Sequence, residues 1–117
     1  MAAHSKNDLK PITSADEFFR LRTSSDPGDY ERASWAPATD SIWFEIIDRW
    51  PEMRFWVAHN RTAPIAVLER LVRDHDEQVR LRLAQRRKLP DHLRELLATD
   101  SDEAVVAENA RRWTDQK

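Results

Sequence analysis

The stretch "DEQVRLRLAQRRKLPDHLRELLATD" (residues 76–100) repeats the pattern of "WPEMRFWVAHNRTAPIAVLERLVRD" (residues 50–74). At a shift of 26 residues, Ala58 falls on Ala84 and Pro64 on Pro90. A third pass starts at Asp102, where an Asp, a Glu, a Val and an Ala recur in the same register: Asp102, Glu103, Val105 and Ala110 match Asp76, Glu77, Val79 and Ala84. The chain therefore contains an internal repeat of about 26 residues.

Each repeat has two short amphipathic helices joined by a polar corner that ends in proline, "HNRTAP" or "QRRKLP". Neither helix can bury its apolar stripe alone, so neighbouring repeats must stack. The pattern predicts an all-α fold, a short right-handed α-solenoid (superhelix) of stacked helix pairs. We expect clear repeats at 51–75 and 77–101, a half repeat at 102–113 and a degenerate region at 14–50. Together these make one domain, 14–117, which follows a flexible leader, 1–13.

The degenerate region also carries helix signals. Ser14 and Glu17 form a capping-box pattern that predicts a short helix up to about Arg22. Asp26 and Pro27 predict the start of a second helix, which Pro37 ends. A third, strongly amphipathic helix is predicted in "TDSIWFEIIDRW" before Pro51, with Trp43 in the core.

The run Asp-x-Asp-Glu-x-Val-Arg…Leu-Ala…Pro…Leu…Leu-Leu resembles HEAT-like helical repeats, and most closely the short leucine-rich-repeat-variant type. The resemblance covers about half of the chain. In HEAT-like repeats an Asp and an Arg six residues apart often form a ladder between repeats. The resemblance implies that role for Asp48 with Arg54 and for Asp74 with Arg80. The third repeat does not have an Asp and an Arg six residues apart at this position. Some variant proteins carry a cysteine-bound iron–sulfur module, which a chain without cysteine cannot hold.

Composition narrows the range of functions. The net charge of -2 balances 19 basic against 21 acidic residues, which argues against bulk attraction to nucleic acid or to an anionic membrane. The absence of cysteine excludes disulfides and thiolate metal sites. No apolar stretch is long enough for a signal peptide or a membrane span, so we expect a cytoplasmic protein, of bacterial type, without a membrane partner.

No catalytic group stands out. Asp74, His75, Asp76 and Glu77 are residue types that bind metals or transfer protons, but Asp76 and Glu77 suit a helix N-terminus better. Two other histidines, His59 and His92, have no carboxylate or histidine four residues on, and a single glycine excludes a phosphate-binding loop. We expect no enzyme activity, no metal and no cofactor.

The arginines divide into two groups on a helical wheel. Arg80 lies within the apolar arc, so we expect it half buried and paired with an Asp. Arg82 and Arg86 point the opposite way, beside Arg87 and Lys88 in the corner. The sequence predicts that these four bind a partner, and Arg80 and Arg94 extend the basic patch. The alternative is a solvated helix face.

Trp56 occupies the position that Arg82 takes in the next repeat, so it is predicted to be an exposed anchor for a partner. The alternative is that it packs under the N-terminal helices. Together these residues predict a non-catalytic protein–protein interaction module. Bacterial immunity proteins, which plug a toxin's active site, share its size and acidity, so an immunity or inhibitor role fits. The alternative function is nucleic-acid binding through the Arg82–Lys88 patch. The half repeat 102–113 would cap the stack or pair with a second copy as a homodimer.

Overall fold

The computed structural model describes residues 9–116, and within that range the chain is all-helical, as the sequence predicts. It forms eight α-helices and one short 3-10 turn, and no strand occurs among the described residues. The helices are α1 Ala15–Thr23, α2 Pro27–Trp35, α3 Asp40–Arg49, α4 Arg54–His59, α5 Ile65–Leu71, α6 Glu77–Ala84, α7 Asp91–Leu97 and α8 Glu103–Gln116; the 3-10 turn Pro51–Met53 precedes α4.

Two compact units make up the chain, Met1–Pro64 and Ile65–Lys117. The boundary lies at the corner of the first clear repeat, so α4 belongs to the first unit and α5 to the second. In the corners Pro64 and Pro90 each stand immediately before a helix, where a missing N–H costs nothing.

The predicted helix starts of the first unit are confirmed. The Ser14 hydroxyl accepts a hydrogen bond from the Glu17 N–H at 3.0 Å, and the Glu17 carboxylate accepts one from the N–H of Thr13 at 2.9 Å. Asp26 caps α2 by accepting from the Gly28 N–H at 2.8 Å. The bonds from the Glu17 and Gly28 N–H groups satisfy donors that the first turn of each helix leaves without helical partners.

The core of the first unit is built on α1 and α3. Phe18 and Trp43 are fully buried and meet edge to face, with ring centroids 5.4 Å apart. Ile12 is buried as well, and its N–H donates to the carbonyl of Pro37 at 2.8 Å. Residues 10–13 of the predicted leader therefore belong to the packed chain, whereas residues 1–8 lie outside the described range.

In the second unit α6 packs against α5, α7 and α8. Its buried apolar residues are Val79, Leu83 and Ala84. The half repeat predicted at 102–113 is one helix, α8, in which Val105 is fully buried. Val106 and Trp113 of α8 are half buried, and the Trp113 indole N–H donates to the Asp91 carboxylate at 3.2 Å.

Arg80 is half buried and paired with an Asp, as its wheel position predicts. Its guanidinium binds both carboxylate oxygens of Asp100, at 2.9 and 3.2 Å, and donates to the backbone carbonyl of Asp74 at 2.7 Å. Asp100 stands one repeat after Asp74, so this pair links two successive repeats. The other expected pair is Asp48 with Arg54. The Arg54 guanidinium donates to the carbonyl of Ile47, one residue before Asp48, at 2.8 Å. The Asp48–Arg54 pair itself stays a prediction.

Candidate protein-binding site

The predicted basic patch is smaller in the structure than in the sequence. Arg87 and Lys88 are exposed and Arg86 is half buried, but Arg82 is only 9% exposed, so its prediction as an outward residue is wrong. The wheel assumed that α6 has one covered face. Because three helices pack around α6, its surroundings also enclose the position of Arg82.

Arg94, which extended the predicted patch, is fully buried and is therefore not a surface residue. Its guanidinium donates to the carbonyls of Ala84 and Arg86 at 2.8 and 2.7 Å, and to the side-chain oxygens of Asn109 and Gln116 at 3.3 and 3.0 Å. Burial lowers the pKa of Arg94, with Arg112 acting in the same direction. Arg94 thus ties the corner after α6 to α8, and it serves the fold.

Trp56 is half buried and stands at the centre of a group of polar and aromatic side chains. The guanidinium carbon of Arg22 lies 3.5 Å from the centroid of the Trp56 ring and 5.2 Å from that of Tyr30. The rings of Tyr30, His59 and Phe55 meet Trp56 edge to face, with centroids 6.5, 5.5 and 4.9 Å away. We call these five residues the Trp56 cluster. Trp56 contacts the N-terminal helices, as the second interpretation states, and it is half buried; its role as an anchor for a partner stays a prediction.

The cluster is assembled by α1, α2 and α4, and Asn60 fixes two of them. This buried side chain donates to the carbonyls of Ala33 and Ala36 at 2.8 and 3.1 Å, and its oxygen accepts from the N–H of Thr62 at 2.8 Å. The end of α2 is thereby held against the end of α4. Tyr30 and His59 face each other as a result, with the Tyr30 hydroxyl 3.3 Å from His59 Nε2.

Arg22 has an unusual electrostatic environment. Burial lowers the pKa of its guanidinium, and the Tyr30 hydroxyl acts in the opposite direction. Its Nε atom is buried without a hydrogen-bond partner, and among residues 9–116 no carboxylate lies within ion-pair distance of it. A cation is thus partly desolvated against aromatic rings, which attract it through their π-electron faces.

Two other arginines of the first unit lie over tryptophans. The Arg49 guanidinium is 4.2 Å from the Trp50 ring, but it also binds Glu45 at 2.8 Å and Asp16 at 3.1 Å. Arg61 lies 5.3 Å from the Trp35 ring and is exposed. Arg22 has the shortest of these three distances.

Tyr30 is 46% exposed and so forms the accessible edge of the Trp56 cluster. Tyr and Trp with Arg are the residue types most enriched in the energetic centres of protein interfaces, because large rigid rings bury much area at a small entropic cost. The arrangement can therefore bind a side chain of another protein.

The described histidines and carboxylates have structural or surface positions. Among residues 9–116 no group of three or more His, Asp or Glu side chains is placed to hold a metal ion. Asp76 caps α6 by accepting from the Gln78 N–H at 2.8 Å, as predicted, and His75 beside it is exposed. His92 lies on the surface, 3.0 Å from the Glu69 carboxylate. No helix in the described part of the chain has the length and apolar character needed to cross a bilayer.

Sequence reasoning identified Trp56 but missed Arg22, Tyr30 and His59. Arg22 and Tyr30 lie in the region whose repeat register the sequence does not define, so no equivalent positions mark them as exceptions. The chain matches no family model, no curated protein and no solved structure.

Proposed function

We propose that this chain is a cytoplasmic, non-catalytic protein-binding module whose contact surface is the Trp56 cluster. The observation that carries the proposal is a tryptophan held by Arg22 and by the half-exposed Tyr30 on a rigid set of helices. Interfaces derive most of their affinity from a few such anchors. Because Asn60 holds the end of α2 against the end of α4, the helices that carry Tyr30 and Trp56 are already in place, and less conformational entropy is lost when a partner docks.

We further propose that the helix pairs are HEAT-like repeats of the short variant type, stacked as a right-handed solenoid. The 26-residue repeat supports this arrangement. The Arg80–Asp100 pair also supports it, since it joins equivalent turns of two successive repeats. A stack of this kind presents extended surfaces to a protein partner.

The proposal is tested by affinity capture of the tagged full chain from its own cell lysate after nuclease treatment. Tyr30→Ala and Trp56→Phe alter the cluster, and Trp50→Phe is the matched control in the same unit. We expect one stoichiometric partner, whose measured affinity falls about thirtyfold with Tyr30→Ala, the factor for a hot-spot residue. The Trp50→Phe variant should bind normally. A partner with toxic enzymatic activity would assign the immunity or inhibitor role.

Binding that is unchanged by both cluster variants would contradict the proposed surface. The second candidate function is nucleic-acid binding, which the adjacent exposed cations Arg87 and Lys88 favour. Recovery that disappears after nuclease treatment would support it. In that case the affinity should fall steeply with salt, and the double replacement of Arg87 and Lys88 by glutamine should reduce the salt slope by about two.

A further inference from the structure

The Arg22 guanidinium has hydrogen-bonding capacity that the chain itself does not use. Five N–H groups project from a guanidinium in a planar fork. Within residues 9–116 the guanidinium of Arg22 lies over the Trp56 and Tyr30 rings, and its buried Nε has no hydrogen-bond acceptor. A half-buried cation without an anion carries a desolvation cost that an incoming anion would offset.

Three arginines on the same or neighbouring helices differ from Arg22 in this respect. On the same helix, Arg20 pairs with Asp29 at 3.7 Å. Arg32 of α2 pairs with Glu17 at 3.0 Å, and Arg49 of α3 binds two carboxylates. These three arginines have carboxylate partners within the chain, whereas the one that lies on Trp56 has none among residues 9–116.

We infer that Arg22, between Trp56 and Tyr30, receives a single carboxylate side chain, Asp or Glu, from a protein partner. This inference rests on the proposed function and adds the chemistry of the partner. A guanidinium binds a carboxylate through two parallel N–H···O bonds, and the aromatic rings would exclude water around the pair. The exposed edge of Tyr30 then contacts apolar side chains next to the acidic residue.

A carboxylate fits this surface better than a phosphate backbone. Strong binding to nucleic acid requires several cations that follow successive phosphates. At the Trp56 cluster there is one cation of this kind, and Arg20, two residues away, is already paired with Asp29. A single half-buried fork suits a single planar anion flanked by apolar groups.

Peptide display on the immobilised full chain tests the inference without knowledge of the natural partner. The baits are the wild type, Arg22→Met, Arg22→Lys and, as the matched control, Arg49→Met, which removes a cation from the other closely stacked Arg–Trp contact. Arg22→Met keeps the apolar stem over Trp56, and Arg22→Lys keeps the charge but not the fork. Circular dichroism checks that each bait is folded.

We expect the wild type and Arg49→Met to select peptides with one invariant Asp or Glu beside apolar residues. Arg22→Met should lose that acidic preference. A selected peptide should bind Arg22→Met and Arg22→Lys at least tenfold more weakly, the factor for a charge-assisted hydrogen-bonded pair.

An acidic preference that persists with Arg22→Met would overturn the inference. A wild-type bait that selects no acidic residue, whether it selects neutral peptides or none, would overturn it too. So would tight binding of a single-stranded oligonucleotide that Arg22→Met abolishes, because the anion would then be phosphate. A cellular partner whose binding depends on Tyr30 but not on Arg22 would support the proposed function and overturn the inference about the carboxylate. If acidic peptides are selected but no cellular partner is captured, the carboxylate site at Arg22 is supported and the proposed function is contradicted.

Discussion

Replacement of Arg94 by leucine tests whether a single buried side chain holds the second unit together. Leucine is the residue at the equivalent position one repeat earlier, Leu68, where it is buried. The variant therefore keeps the apolar stem and removes the guanidinium. The four oxygens that this group binds lie on the corner after α6 and on α8.

The magnitude follows from two opposing effects. Hydrogen bonds to a charged group contribute about 1.5 kcal/mol or more each, so loss of four such bonds costs about 6 kcal/mol in gross terms. Removal of a fully buried charge also relieves its desolvation cost, which is several kcal/mol. We expect a net loss of about 3 kcal/mol in the free energy of unfolding. That is a large part of the roughly 5–15 kcal/mol that stabilises a domain.

The assay is urea unfolding at neutral pH, followed by far-ultraviolet circular dichroism. Arg111→Leu is the matched control, because it makes the same change of charge on α8, where Arg111 is 58% exposed and paired with Glu108. An exposed pair of this kind contributes little to stability. Hydrogen exchange should also be faster at the Leu89 amide, which donates to the same Gln116 oxygen that accepts from Arg94.

Two results would refute this reasoning. One is an Arg94→Leu variant whose midpoint falls no further than that of Arg111→Leu. The other is an Arg94→Lys variant of wild-type stability. Lysine keeps the charge, but it lacks the planar fork that reaches four acceptors. Full stability with lysine would mean that the charge, and not the donor geometry, matters.

Three further variants test other parts of the fold, all by the same urea assay. Asn60→Ala should lower the free energy of unfolding by about 2–3 kcal/mol, because it removes the amide donor from the carbonyls of Ala33 and Ala36, of which only Ala36 keeps another side-chain donor among the described residues, the Thr62 hydroxyl; a loss below about 0.5 kcal/mol would contradict that role. Arg80→Leu should cost about 2 kcal/mol by breaking the half-buried pair with Asp100, whereas the exposed Arg73→Leu should cost almost nothing, and equal losses would argue against the pair. Glu17→Gln tests pH dependence. Burial raises the pKa of Glu17, but hydrogen bonds from Thr13 and Arg32 outweigh it and hold the pKa below its ordinary 4.5, so the stabilisation is present above that pH and lost as the pH falls below it. The wild type should therefore lose more stability than Glu17→Gln between about pH 5 and pH 3, and parallel losses would contradict the sign.

Local signals in the sequence predicted much of the secondary structure. Caps depend on a side chain and an N–H two or three residues apart, so Ser14, Asp26 and Asp76 mark helix starts without knowledge of the tertiary fold. The half burial of Arg80 also follows from one helix, because its position lies within an apolar arc.

Burial that depends on the number of packed neighbours could not be predicted in the same way. Arg82 is enclosed because α6 contacts three helices, and a wheel shows only one helix at a time. Arg94 replaces a leucine of the previous repeat, which was a visible signal for a core position. Its charge suggested the surface, since arginine is rarely fully buried unless its donors are satisfied. The acceptors that satisfy it come from two other segments, the end of α6 with the corner after it and α8.

Exceptions to the repeat thus belong to two kinds. Asn60 stands where the next repeat has Arg86, and Arg94 stands where the previous repeat has Leu68. The polar groups of Asn60 and Arg94 are bound to carbonyls of their own unit, so these two exceptions hold corners in place. Trp56 replaces Arg82 and brings Arg22 to a position where its N–H donors have no acceptor among the described residues. An exception whose polar groups are satisfied within the chain serves the fold. One that leaves a half-buried donor without an acceptor is where a partner gains most by binding, and in this chain Arg22 meets that criterion.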